Sequence, residues 1–128
     1  MIVLDTHAWL WWCDAPSKMS RKARAAIADA DRVGVSPISC WEVATLVRRG
    51  RIGLDRVVTT WVEQALGQEA VEVLPLTPRI AAAAGMLAES FPGDPADRLI
   101  YATAVSENAA LVTKDEALQR FDRKRTIW

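Results

Sequence analysis

The chain opens Met1-Ile2-Val3-Leu4-Asp5-Thr6-His7-Ala8-Trp9-Leu10-Trp11-Trp12, and the rest is read outward from this stretch. Met1–Leu4 is an apolar run of the length expected for a buried strand. Asp5 ends it, and a Trp-rich helix from Thr6 to Cys13 begins at once. A strand that stops on an acid at the head of a helix is the unit of an alternating α/β protein. In such folds the carboxyl ends of the strands and the amino ends of the helices gather on one edge of the sheet.

The same unit recurs along the chain. Pro16-Ser17 breaks the first helix, and Ser20 caps a second that runs through Ala30. Val33–Ser36 reads as a strand and Ser39–Arg49 as a helix stopped by Gly50. Asp55–Leu66 reads as a fourth helix, ending at Gly67, and Val71–Leu76 as a strand. Thr77-Pro78 then supplies an N-cap and a proline at the first helical position, for an alanine-rich helix continuing through Ala81–Glu89. After the turn Phe91-Pro92-Gly93 come a helix Pro95–Asn108, a strand Ala110–Thr113, a short helix Glu116–Phe121 and a last strand Thr126–Trp128. Four or five strands separated by helices predict one α/β domain over residues 1–128, a three-layer sandwich around a mainly parallel sheet.

Composition narrows the setting. Of the 128 residues 51% are hydrophobic and 25% charged, enough for a core and too apolar for disorder. Sixteen basic residues balance sixteen acidic ones, which argues against a large uniform nucleic-acid footprint. Cys13 and Cys40 form no disulfide framework and suit a reducing compartment. The apolar start is interrupted by Asp5 and His7 with no basic region ahead of it, and no run is long enough to span a bilayer. A soluble, cytoplasmic protein is expected.

Four acids occupy equivalent places: Asp5, Glu42, Asp97 and Asp115 each end a strand or lie in the first turn of the helix after one. The fold would bring them into one pocket. Carboxylates crowded together repel unless a cation sits among them, and hard oxygen ligands suit Mg²⁺ or Mn²⁺. The competing explanation is helix capping. Ser39-Cys40-Trp41-Glu42 has the form of a capping box, as does Asp94-Pro95-Ala96-Asp97, and Thr113-Lys114-Asp115-Glu116 is a third candidate. Capping explains Asp5 least well, because a carboxylate ending an apolar run costs several kcal/mol unless it is paired. Auxiliary positions are Thr6, His7, Asp94, Thr113 and Arg98, the last able to pair with a carboxylate or touch a phosphate. Trp9, Trp11, Trp12 and Trp41 fit core or interface better than base stacking. The clusters Arg48/Arg49/Arg51 and Arg120/Arg123/Lys124/Arg125 are either phosphate ligands or solvated helix ends.

Asp5-Thr6-His7-Ala8-Trp9-Leu10-Trp11-Trp12 and Ser36-Pro37-Ile38-Ser39-Cys40-Trp41-Glu42-Val43 resemble the first two motifs of the PIN-domain ribonucleases. Asp94-Pro95-Ala96-Asp97-Arg98-Leu99-Ile100, with Ala102-Thr103-Ala104, and then Leu111-Val112-Thr113-Lys114-Asp115, resemble the third and fourth. The VapC-type toxins of bacterial toxin–antitoxin pairs are the most similar subgroup, and the likeness runs to Ile127-Trp128. It implies a three-layer fold and metal-binding acids at Asp5, Glu42, Asp97 and Asp115, with Asp94 a helper or cap. It also implies a homodimer silenced by a small antitoxin whose tail covers the acidic pocket. One departure is visible: Phe91-Pro92-Gly93 stands where members with this third motif often carry a histidine.

The function expected is therefore a Mg²⁺- or Mn²⁺-dependent endoribonuclease that cleaves RNA with a metal-activated water. Two rivals predict other things. A receiver-like domain would phosphorylate a strand-end aspartate beside a lysine, for which Lys114 is the available residue. A non-catalytic binding module would carry these acids only as caps.

Overall fold

In the computed structural model, which describes residues 1–128, the chain forms a five-stranded sheet in the order β3-β2-β1-β4-β5. The strands are β1 (Ile2–Leu4), β2 (Val33–Val35), β3 (Val71–Val73), β4 (Ala110–Val112) and β5 (Thr126–Ile127). Every neighbouring pair is parallel. All five carboxyl ends therefore lie on one edge. Strand order reverses between β1 and β4, the switch point beyond which ligands bind in open α/β sheets.

Period-two alternation sorts β1 between the two faces. Ile2 and Leu4 join Val33, Val35 and Val112 in one core, against α1 (Thr6–Asp14), α2 (Arg21–Asp29), Val43 of α3 (Pro37–Arg48) and α4 (Val58–Leu66). Val3 and Leu111 point the other way, into a second core with Ile100, Tyr101 and Ala104 of α6 (Pro95–Ser106) and Leu118 of α7 (Glu116–Phe121). Outside α6, the helix α5 (Pro78–Gly85) packs through Ile80 and Ala84 onto Ala102. Trp9 and Trp61 are both buried and meet edge-on at 5.0 Å, a geometry that adds about 0.5–1.5 kcal/mol beyond the area buried. Gly34 faces Leu74, and a Cβ there would sit 2.4 Å from its Cδ1, so the second core needs glycine at that point.

Five boundaries differ from the sequence reading by two residues or more. The third helix starts at Pro37, not Ser39: Ser36 caps it by accepting from Ile38 N at 3.3 Å, and proline takes the first position. The fourth starts at Val58 because the Asp55 carboxylate turns to the Arg56 guanidinium, at 2.7 and 2.9 Å, instead of capping. β3 stops at Val73; Leu74 N still donates to Val35 O at 2.9 Å, but Pro75 has no N–H with which to continue. The fifth helix ends at Gly85 rather than Glu89. The sixth ends at Ser106, with Asn108 in the left-handed conformation that closes it.

Candidate metal centre

Four loop-to-helix junctions at the carboxyl edge build one open cleft of about 550 Å³. Asp5 comes from the end of β1, Glu42 from α3 after β2, Asp94 and Asp97 from the head of α6, and Asp115 with Glu116 from the head of α7 after β4. The expected gathering of Asp5, Glu42, Asp97 and Asp115 is thus what the chain does. Glu116 and Lys114 join them; adjacency to Asp115 was the only signal the sequence held for either.

Capping and clustering prove to be compatible. Asp5 is itself an N-cap, accepting from Ala8 N at 2.9 Å, so the cap explanation applies to it after all. Asp94 and Asp97 form the capping box, with Asp97 N donating to Asp94 at 2.9 Å and Asp94 N to Asp97 at 3.1 Å. Asp115 accepts from Ala117 N and Leu118 N. Glu42 is the exception. The box proposed for Ser39 and Glu42 does not form, because Ser36 is the cap and Ser39 is buried one turn in. Glu42 caps nothing, and its carboxylate accepts a short hydrogen bond from the buried Thr6 hydroxyl. Thr6 Oγ1 also lies 3.0 Å from Ser39 Oγ. A hydroxyl has one proton, so Thr6 gives it to the carboxylate and takes one from Ser39. That buried pair aims Glu42 across from α3 to α1.

The electrostatics of the cleft are those of carboxylates without counterions. No ion pair in the structure involves any of its acids. Burial pushes the Asp5 carboxyl above its ordinary range, against the pull of the Thr113 hydroxyl and the Ala8 amide, and the Asp115 charge adds to the rise. Burial also raises Glu42, against the Thr6 hydrogen bond and with the help of Asp94 and Asp5. Asp97 is raised to about 7 by burial, then by the hydrogen bond and charge of Asp94 beside it. Gly93 lets this last pair form so tightly: a Cβ there would lie 2.6 Å from that of Asp97. The Phe91-Pro92-Gly93 departure thus has a structural counterpart, a turn that leaves the space around Asp97 to its carboxylate.

The auxiliary residues divide. Thr6 orients Glu42, and Thr113 accepts from Asp115 N at 3.1 Å and faces Asp5. His7 is exposed at the cleft mouth, its ring 5.5 Å from that of Trp11. Arg98 is a correction. Its guanidinium pairs with no carboxylate but donates to the carbonyls of Ala84, Leu87 and Ala88, at 3.3, 3.0 and 3.1 Å, and stacks over Phe91. It thereby gathers the carbonyls where α5 ends and ties that end to the loop before Asp94. Lys114 lies 5.3 Å from the Trp11 ring centre rather than against Asp5, which removes the lysine a receiver-like site needs.

The donor set suits a hard divalent cation: carboxylate oxygens only, crowded, in no ion pair, with Asp5, Glu42 and Asp97 raised in pKa. No three of them converge on a single point as they stand.

Comparison with known proteins places this cleft in a family. A model of the PIN domain matches residues 2–124. Ribonuclease VapC22 of Mycobacterium tuberculosis is 44% identical over 99% of this chain and 98% of its own length. Among solved structures, a toxin–antitoxin complex from Klebsiella pneumoniae superposes at a TM-score of 0.70 with 17% identity, covering 100% of this chain and 97% of the other. VapBC2 from Rickettsia felis, bound to a DNA fragment from its promoter, superposes at 0.68 with 17% identity, covering 98% and 97%. The two structures share the fold, and the family model and the sequence relative carry the assignment: this chain belongs to the PIN-domain family.

Proposed function

We propose that the chain is a metal-dependent endoribonuclease, the toxin of a toxin–antitoxin pair, whose acidic cleft holds Mg²⁺ or Mn²⁺. The observation that carries this is Glu42. Every other strand-end acid caps a helix, but Glu42 caps nothing and is held toward the cleft by a buried hydroxyl pair. A fold that needed only caps would have no use for it. The 44% identical ribonuclease supports the choice of RNA as substrate.

In this reading Asp5, Glu42, Asp97 and Asp115 hold the ion. A bound divalent cation supplies a water of lowered pKa and neutralises charge on the phosphate. Thr6 fixes the rotamer of Glu42, and the α1 and α7 amides fix those of Asp5 and Asp115. Asp94 keeps Asp97 in place while repelling it, so Asp97 gains most from a cation. The likeness to antitoxin complexes supports a small antitoxin partner, and a homodimer is proposed on the resemblance of the motifs to the VapC-type toxins alone.

Asparagine caps helices about as well as aspartate, so Asp→Asn separates the two roles of these residues. Asp5→Asn and Asp97→Asn should fold normally and lose at least about a hundredfold in RNA cleavage, more than the loss typical of residues that only support a ligand. Cleavage should also stop when EDTA removes the metal. Wild-type turnover in EDTA, or in either variant, would sink the proposal.

A further inference from the structure

Beside the acidic cleft lies a second opening of about 520 Å³, and its character is the opposite. Lys22 of α2, Arg120 of α7 and Arg123 of the turn before β5 line it. None of the three pairs with a carboxylate. The C-terminal basic run is therefore not one cluster. Arg125 turns inward, donating to the Ala109 carbonyl at 2.9 Å and pairing with Asp122, and Lys124 lines a different surface. Arg120 and Arg123 remain, and the fold adds Lys22 from about a hundred residues away in sequence.

The two openings are contiguous. Glu116 lines both. Gln119, in the wall of the basic one, donates to the Thr113 carbonyl at 3.1 Å, directly behind the acids. Between them stands a pair of aromatic rings: Trp11 on the acidic side and Trp128 on the basic side, 5.9 Å apart. The Lys114 ammonium lies over Trp11. Acid cleft, aromatic step and free cations follow one another over the surface. Single strands are bound by this combination of stacking faces and backbone-tracking charge.

We propose that Lys22, Arg120 and Arg123 form a phosphate subsite for the RNA strand leaving the acidic cleft, with the Trp11–Trp128 step bearing the base between. The proposal rests on the ribonuclease reading above and extends it to the direction in which substrate lies. An acidic peptide would find the same cations, but the aromatic step and the shared Glu116 wall favour a strand that enters both openings at once. The three residues are positioning residues: they hold the strand and touch no reacting atom.

The test uses fluorescence anisotropy of a labelled, mixed-sequence single-stranded RNA in Mg²⁺. The proteins are Asp115→Asn, chosen so that the RNA stays intact, and the same protein carrying Lys22→Gln, Arg120→Gln and Arg123→Gln. Each lost phosphate contact should make the plot of log K against log salt shallower by about 0.7, about 2 in all. If that term vanishes near about 1 M salt, affinity at about 0.15 M falls on the order of 10- to 50-fold. In the cleaving background the loss should appear in KM, and Arg120→Lys with Arg123→Lys should restore the slope. A slope unchanged by the triple substitution, while the parent binds RNA, would overturn the subsite and leave the nuclease standing. So would a triple variant that keeps its RNA affinity but loses that for a glutamate-rich peptide. A wild type that neither binds nor cleaves RNA would overturn both proposals.

Discussion

Asp97 shows what a residue gives up when one carboxylate serves two roles. As the third residue of α6 it completes a capping box, which stabilises the helix. As a member of the cleft it is raised from 3.8 to about 7, chiefly by burial and then by Asp94. Below its ordinary value the group is protonated in both folded and unfolded chains. Between there and about 7 the unfolded chain releases the proton and the folded one keeps it, so stability falls as pH rises. Above about 7 both have released it, and the curve is flat again. Asp5 and Glu42 are raised too, so they act in the same direction. Urea unfolding without metal should therefore find the wild type less stable at about pH 8 than at about pH 5. Asp97→Asn keeps the cap and removes the charge, so its dependence should be weaker. Equal slopes for the two proteins would mean that Asp97 is not strained by its neighbours.

At the scale of elements, helix ends position the site and helix ends were also the hardest part to read. Gly50 is an instance that was legible. It stands at φ 68° after α3, with its N–H bonded to Val47 O and that of Arg51 to Leu46 O, a complete Schellman closure. Nothing lies within 4 Å of a Cβ built there, so Gly50→Ala should cost only the left-handed backbone, roughly 1 kcal/mol. Glu42 lies more than a turn inside the other half of α3, and cleavage per folded molecule should not change. A thermal melt beside an activity assay checks both; an activity loss exceeding the stability loss would show that α3 transmits strain to Glu42. The start of α3 was not legible in the same way. Ser36-Pro37 and Ser39 with Glu42 are both good start signals, and only burial of Ser39 against Thr6 decides between them. The end of α5 was hidden for a similar reason, since it depends on Arg98 arriving from a later helix. Local signals fix where helices can begin; tertiary partners fix where they do.

For the whole molecule, alternation of strand and helix was enough to place the acids on one edge, because in a fully parallel sheet every carboxyl end faces the same way. Strand order was not: nothing local says that β4 lies beside β1, yet that pairing puts Asp115 next to Asp5 and Lys22 near Arg120. The arrangement has an energetic consequence for the molecule as a unit. Six carboxylates from four junctions share a cleft with one lysine, and that lysine sits on a tryptophan. Folding brings these charges together, so a cation bound among them stabilises the folded chain and has nothing comparable to bind in the unfolded one. At a hundred times its dissociation constant, Mn²⁺ should add about 2.7 kcal/mol. For a domain of this size that raises Tm by roughly 8–16 °C. Asp5→Asn should abolish the rise, while Lys22→Gln, outside the cleft, should leave it intact. If Mn²⁺ moved neither wild type nor variant, the acids would bind no ion without RNA, and the unpaired Glu42 would need a partner of another kind. A rise in wild type and Lys22→Gln alone would tie the stability of the whole fold to the charge in its cleft.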